Sequence, residues 1–311
     1  MQKIKAVQAK CLQAGRVFAS AAAKAGEVKN MSIWKSMIHR FSREEISTWT
    51  SLKKTAYILL PLLIYLVAHD LAEILLWAGL EGVMSTFGED LSAFLTAHAY
   101  TVQGVVNGLA MLLGLLVIAK AVKAEVSFER STVVETAGAY TFLCVFAFLV
   151  AVGVNILFYQ LGITGSSESF GKVQEAQFGV QLVTGLFLFG VISPIVEEAV
   201  FRGIIYNRLK RSFSVPVALV ISALLFGFYH GNAVQAVYGT ILGFLIAYIY
   251  EMFRSFGAPV VFHSVANISV FVMTYYKGLN HLSKPAAIGL AALMLAGAAG
   301  ILVYLKKSFE K

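Results

Sequence analysis

At 311 residues, with 58% hydrophobic and 14% charged side chains and a mean hydropathy of +0.75, the chain carries more apolar material than one soluble core of its size needs, which argues against an ordinary soluble globular domain. The net charge of +8 does not indicate a nucleic-acid binder. Residues 1–54 hold eleven Lys/Arg against three acids, a surplus equal to that of the whole chain, and no basic patch interleaved with aromatic residues follows.

The elements are read in chain order as an all-α, polytopic transmembrane helical bundle of about eight spans behind a basic N-terminal cytoplasmic arm. That arm, residues 1–54, precedes a first sustained apolar run that starts near Tyr57, so no compact cleavable signal peptide is expected and the first span is expected to be retained. A basic segment before a first span keeps that end on the cytoplasmic side, and anionic lipid is the partner expected for it. The cluster Ile33, Trp34, Met37, Ile38 and Phe41 among bases suits an amphipathic helix in the headgroup plane, with a solvated arm as the alternative. Cys11 in the arm and Cys144 inside an apolar run occupy different environments, and no disulfide is expected.

Spans are expected at residues 57–80, 101–122, 137–160, 177–206, 214–230, 234–251, 258–276 and 286–305. The first contains His69, Asp70 and Glu73, which hydrocarbon tolerates only if they face the bundle interior or a boundary. Loops then alternate: Glu89 and Asp90 outside, Lys120, Lys123 and Arg130 inside, Glu168 and Glu175 outside, Arg208, Lys210 and Arg211 inside, and Lys306, Lys307 and Lys311 inside. Lys277 and Lys284 on the outer side run against this scheme. Residues 162–171 read as an external loop, and the pairs Gly104/Gly108 and Gly239/Gly243 read as close helix contacts.

The chemistry lies in residues 177–276. In Ser193-Pro194-Ile195-Val196-Glu197-Glu198-Ala199-Val200-Phe201-Arg202 two carboxylates and an arginine interrupt an apolar run, and each is costly unless paired. Glu198 and Arg202 are four residues apart and can pair on one helix face. Glu197 points about 100° away, which makes it the better candidate for taking a proton from water. Further on, Phe226-Gly227-Phe228-Tyr229-His230 ends an apolar helix on an imidazole, and His263-Ser264-Val265-Ala266-Asn267 puts an imidazole and a carboxamide one turn apart. Glu197, His230, His263 and Asn267 together offer a base, a second proton-transfer group and two donors for an oxyanion. Ser193 and Ser264 lack a Ser/His/Asp arrangement, and Cys144 lacks a base beside it. Glu197 with His230 and His263 can also be written as a zinc ligand set, although no HExxH is present. A transporter uses similar groups, so spacing alone leaves that reading open.

These three motifs, Glu197-Glu198 to Arg202, Phe226 to His230 and His263 to Asn267, resemble in order the EExxxR, FxxxH and HxxxN of the CPBP family. This is the family of CAAX proteases and bacteriocin-processing membrane proteins, which includes the Rce1-like endopeptidases and the Abi group. The resemblance implies an eight-helix fold with a cavity open to the cytosolic side and an intramembrane endopeptidase that needs no metal or other cofactor. It implies that Glu197 and His230 activate water, that His263 and Asn267 stabilise the oxyanion, and that Glu198, Arg202 and Phe226 support the site. The substrate class it implies is a membrane-embedded or lipidated protein or peptide. A nonenzymatic scaffold or bacteriocin-immunity protein on the same fold is the alternative. In straight spans of equal length His230 would lie far from the cytoplasmic side and His263 close to it, so the helices are expected to tilt, break or differ in length.

Overall fold

The computed structural model describes residues 37–87, 89–126, 137–277 and 282–309. Residues 1–36 of the basic arm, with Cys11, and the loop around Arg130 lie outside them. A short helix α1 (Arg43–Ser47) is followed by α2 (Ser51–Phe87), α3 (Glu89–Ala97), α4 (Ala99–Val126) and α5 (Ala137–Gln160). After a 3₁₀ turn (Thr164–Ser166) come α6 (Glu168–Phe178) and α7, a continuous helix over Leu182–Ser212. The chain ends with α8 (Val215–Tyr229), α9 (Ala233–Phe253), α10 (Gly257–Tyr275) and α11 (Lys284–Phe309).

Every expected span has a helix. Seven of them, α2, α4, α5, α7, α9, α10 and α11, are long and apolar enough to cross a membrane, and the protein is a polytopic membrane protein. The fifth expected span differs. α8 has 15 residues, about 22 Å at 1.5 Å per residue, against a hydrocarbon core of about 30 Å. Its limits are written locally: Pro216 sits in its first turn, and Gly231 beyond its end takes a left-handed φ of +74°, which glycine adopts without a Cβ penalty. The first span runs the other way, since α2 is 37 residues long and starts six residues before Tyr57; no breaker stops it at the edge of its apolar run, and Pro61 is carried inside. The loop expected over residues 162–171 contains the start of α6, which Ser167 caps by accepting from Phe170 N at 3.3 Å. The exposed pair Lys172–Glu168 follows one turn on.

α7 is the centre of the bundle and touches α2, α4, α8 and α10. All eight residues of its Ala199–Tyr206 segment are buried. Around it lie two apolar clusters: one gathers Tyr65, Met111, Val200, Phe201, Ile204 and Phe226, and the other joins α5, α9, α10 and α11 through residues such as Phe146, Ile246, Phe262 and Ala298. Small residues set the closest approaches. A Cβ on Gly108 would meet Leu188 at 2.5 Å, and one on Gly243 would meet Phe226 at 2.9 Å, so both glycine pairs do lie at helix contacts. Among the described glycines the closest approach to backbone is between α8 and α9, where a Cβ on Gly227 would lie 2.3 Å from the Ala236 carbonyl oxygen. Gly227→Ala is therefore expected to cost about 1–3 kcal/mol as an overpacking substitution, read as a lowered thermal midpoint in detergent.

Arg208, Lys210 and Arg211, expected among loop charges, occupy the last turns of α7 instead. Arg208 is 1% exposed. Its Nε donates to Glu125 Oε1 at 2.9 Å, its Nη1 to the Tyr57 carbonyl at 2.5 Å and its Nη2 to the Met37 carbonyl. Arg211 donates to both Glu125 oxygens, at 2.8 and 2.7 Å. Burial without these partners would cost several kcal/mol per ion, and Glu125, 83 residues away in sequence from Arg208, supplies the countercharge.

Candidate active site

α7 is not a regular helix where it carries the carboxylates. Leu188–Ile192 and Ala199–Tyr206 are wound as π-helix, with an ordinary turn, Ser193–Glu198, between them. Wide turns of this kind recur at functional sites. Their cause is legible in hydrogen bonds. Ser193 N–H bonds the Leu188 carbonyl, five residues back; in that register the Phe189 carbonyl would take the N–H of residue 194, which is proline and has none. Asn267 Nδ2 of α10 supplies the missing donor at 3.0 Å. Near the second wide turn Asn207 Nδ2 donates to the Gly203 carbonyl at 3.2 Å and the Tyr250 hydroxyl at 2.9 Å. The irregular backbone is thus satisfied by side chains, from α10 at the first wide turn and from α7 itself at the second, as the membrane interior requires.

Glu198 and Arg202 form the expected pair, Nη1 to Oε1 at 3.0 Å, and both are fully buried. Arg202 Nη2 also donates to the Gly243 carbonyl at 2.7 Å, and its guanidinium lies 4.6 Å above the Phe226 ring. The same Glu198 Oε1 is 2.7 Å from His263 Nδ1. With the carboxylate as acceptor, His263 donates through Nδ1, and Nε2 then carries a proton only in the imidazolium form. Phe226 stands edge-on to both His263 and His230, at 5.6 and 5.0 Å between centroids, so this ring spaces the two imidazoles.

Glu197 is set apart from that pair. It is 7% exposed; its Oε1 accepts from Ser193 Oγ at 2.5 Å, a partner one turn back that the reading of its charge neighbours did not anticipate. Its Oε2 has no hydrogen-bond partner among the described residues and lies 3.9 Å from His263 Nε2. His230 closes α8. As the residue at the helix end it turns Nδ1 back to the Phe226 carbonyl at 2.9 Å, which leaves Nε2 as the nitrogen available to a ligand. Asn232, two residues on, opens α9 by accepting from Gln235 N at 2.9 Å. The run His230-Gly231-Asn232 is therefore a tight joint between two helices, and the shortness of α8 ends it inside the bundle.

Glu197, His230, His263 and Asn267 all line one cavity of about 530 Å³ between α4, α5, α6, α9 and α10. Among the described residues its wall also carries Gln103, Asn155, Gln174, Gln177 and Gln235. Sequence reasoning did not single out these amides; the signal was there in Asn155, a carboxamide inside the apolar run of α5. Of the first-span polar residues, Glu73 lines this cavity, whereas His69 and Asp70 line a neighbouring one.

Among the described residues no three His, Cys, Asp or Glu side chains gather in a way that can hold a metal ion. Within the suggested zinc set of Glu197, His230 and His263, the δ nitrogens of both imidazoles are committed, to the Phe226 carbonyl and to Glu198, and Glu197 Oε2 stands 3.9 Å from His263 Nε2.

A family model described as Type II CAAX prenyl endopeptidase Rce1-like matches residues 179–269, the stretch that contains all four candidate residues. Among curated proteins the chain is similar to one from Bacillus subtilis (strain 168) named "Putative membrane peptidase YdiL". The two are 25% identical over 192 residues, covering 60% of this chain and 77% of the relative. It is also similar to "UPF0177 protein YxdF" of Lactococcus lactis subsp. lactis (strain IL1403), 27% identical over 116 residues, covering 37% of this chain and 64% of the relative. The chain thus spans a little under two thirds of that second relative's length. No solved structure matches the chain. The three motifs thus lie on the helices that the family model covers, and over that segment the chain is similar to the Rce1-like CAAX endopeptidases.

Proposed function

We propose that the protein hydrolyses a peptide bond in a membrane-embedded or lipidated polypeptide, using a water activated by Glu197 and His230. The observation that carries this reading is the shared cavity, on whose wall Glu197 keeps one carboxylate oxygen unpartnered. A water between Glu197 Oε2 and His230 Nε2 gives up a proton to the carboxylate and attacks the scissile carbonyl. The resulting oxyanion takes hydrogen bonds from His263 Nε2–H and from the second amide hydrogen of Asn267. The proton then passes to the leaving amine as the carbon–nitrogen bond breaks. Glu198 accepts from His263 Nδ1 and so fixes the ring that makes this donation, and Arg202 keeps Glu198 from standing as a lone buried charge.

The test is cleavage by the full chain in liposomes of peptide libraries and of host membrane proteins, compared with Glu197→Ala and His230→Ala. Loss of product in both variants, with the protein still folded, supports the reading; equal cleavage by all three ends it. A chelator is expected to leave the native rate unchanged. A rate abolished by chelation and restored by zinc would replace the glutamate-only chemistry.

A further inference from the structure

Glu197 also lines a second cavity, of about 330 Å³, on the side of α2 and α4. The two cavities share Gly104, Asn107, Phe189, Ser193 and Glu197. The smaller adds Leu66 and Met111 as apolar wall, together with His69 and Asp70. His69 is held from both sides: Nδ1 lies 3.0 Å from Asp70 Oδ1, and Nε2 lies 3.1 Å from Asn107 Oδ1. Asp70, His69 and Asn107 therefore form a hydrogen-bonded chain whose last member reaches the boundary that both cavities share with Glu197.

Hydrolysis consumes one water for each bond broken, and a polypeptide segment seated in the larger cavity covers the approach from α9 and α10. A cavity at membrane depth holds water only if it is roomy and offers each molecule two to four polar partners. The smaller cavity meets both conditions. At about 30 Å³ per molecule it has room for several waters, and it presents an imidazole, a carboxylate, a carboxamide, the Ser193 hydroxyl and Glu197. The Glu197 side chain is more than nine-tenths buried, and its Oε2 lacks a protein partner among the described residues.

Resting on the hydrolase reading above, we propose that this smaller cavity is a separate water compartment. It supplies Glu197 from the α2–α4 side while substrate occupies the other cavity, and Asp70, His69 and Asn107 are the positioning residues that keep it wet. A purely structural reading of the same chain, as a hydrogen bond joining α2 to α4, predicts no such water.

The experiment uses the full chain in liposomes with two introduced cysteines, Leu66→Cys in the smaller cavity and Val270→Cys in the larger. Val270→Cys is first blocked with the bulky reagent fluorescein maleimide. The small charged reagent methanethiosulfonate ethylammonium is then applied, and site-resolved mass spectrometry separates both positions from the native Cys11 and Cys144. Undiminished modification of Leu66→Cys behind the blocked cavity is the expected result. Loss of that modification on blocking, or no modification before it, overturns the proposal. In a second arm Asp70→Leu is expected to abolish modification of Leu66→Cys, while Asp70→Asn preserves it. A lowered thermal midpoint in Asp70→Leu with modification intact would leave only the structural role and overturn the proposal. The Glu197→Ala cleavage assay separates the two readings: expected labelling with cleavage unharmed removes the hydrolase and its water supply together, whereas failed labelling with cleavage abolished removes the compartment alone.

Discussion

Glu197→Gln is expected to lower peptide cleavage in liposomes by about 10²–10⁴-fold, the range over which a positioned general base contributes. Glutamine keeps the volume of the side chain, and its amide oxygen can still accept from Ser193 Oγ, the one hydrogen bond that Glu197 makes in the structure. What is lost is the basic oxygen on the cavity wall, Oε2, which no described residue occupies. The thermal midpoint in detergent should therefore stay near that of the native chain while product formation collapses. Undiminished cleavage by a well-folded Gln variant would remove the assigned base, since no other carboxylate lies as close to His263 without a stronger partner: Glu198 is already bound to Arg202.

The second large effect falls on stability. Arg202→Met is expected to destabilise the protein by about 3–5 kcal/mol, the usual cost of removing one partner from a buried ion pair. Glu198 would keep only His263, at a fully buried position, and the Gly243 carbonyl would lose its side-chain donor. The informative comparison is the double variant Glu198→Leu with Arg202→Met, which leaves neither charge stranded. It should recover part of the lost stability, and a double-mutant cycle read from denaturation in detergent would give a coupling in the range of about 0.5–3 kcal/mol. Activity should not recover, since His263 then has no Glu198 carboxylate to hold its ring in place. Additive effects on stability would show that the pair does not act as a unit.

Much of the fold was legible because lipid makes a simple demand. A span must be continuously apolar, and each of the eight runs in the sequence became a helix. The Glu198–Arg202 pair was legible for an equally local reason, the four-residue spacing on one helix face. What sequence could not supply was information held between distant residues. The wide turn before Ser193 needs Pro194, which removes a donor from the Phe189 carbonyl, and Asn267, 78 residues beyond Phe189, which replaces it; neither residue alone implies that geometry. Arg208 reads as a loop charge until Glu125, Tyr57 and Met37 are brought beside it. The expected difference in span length shows at α8, whose 15 residues fall short of the bilayer and whose end carries His230 on the cavity that His263 also lines.

That short helix bears on the membrane as well as on the site. Val217, Val220, Leu224 and Phe228 recur every three or four residues along α8 and are all exposed, so this face of the helix meets acyl chains. A strip about 22 Å long cannot match a hydrocarbon slab of about 30 Å, and lipids answer such mismatch by thinning. The bilayer should therefore dimple beside α8 and draw its headgroups toward the level of His230. The dimple is relieved where acyl chains are short and strained where they are long, so lipid chain length alone should tune how easily a polypeptide slides from the membrane into the protein.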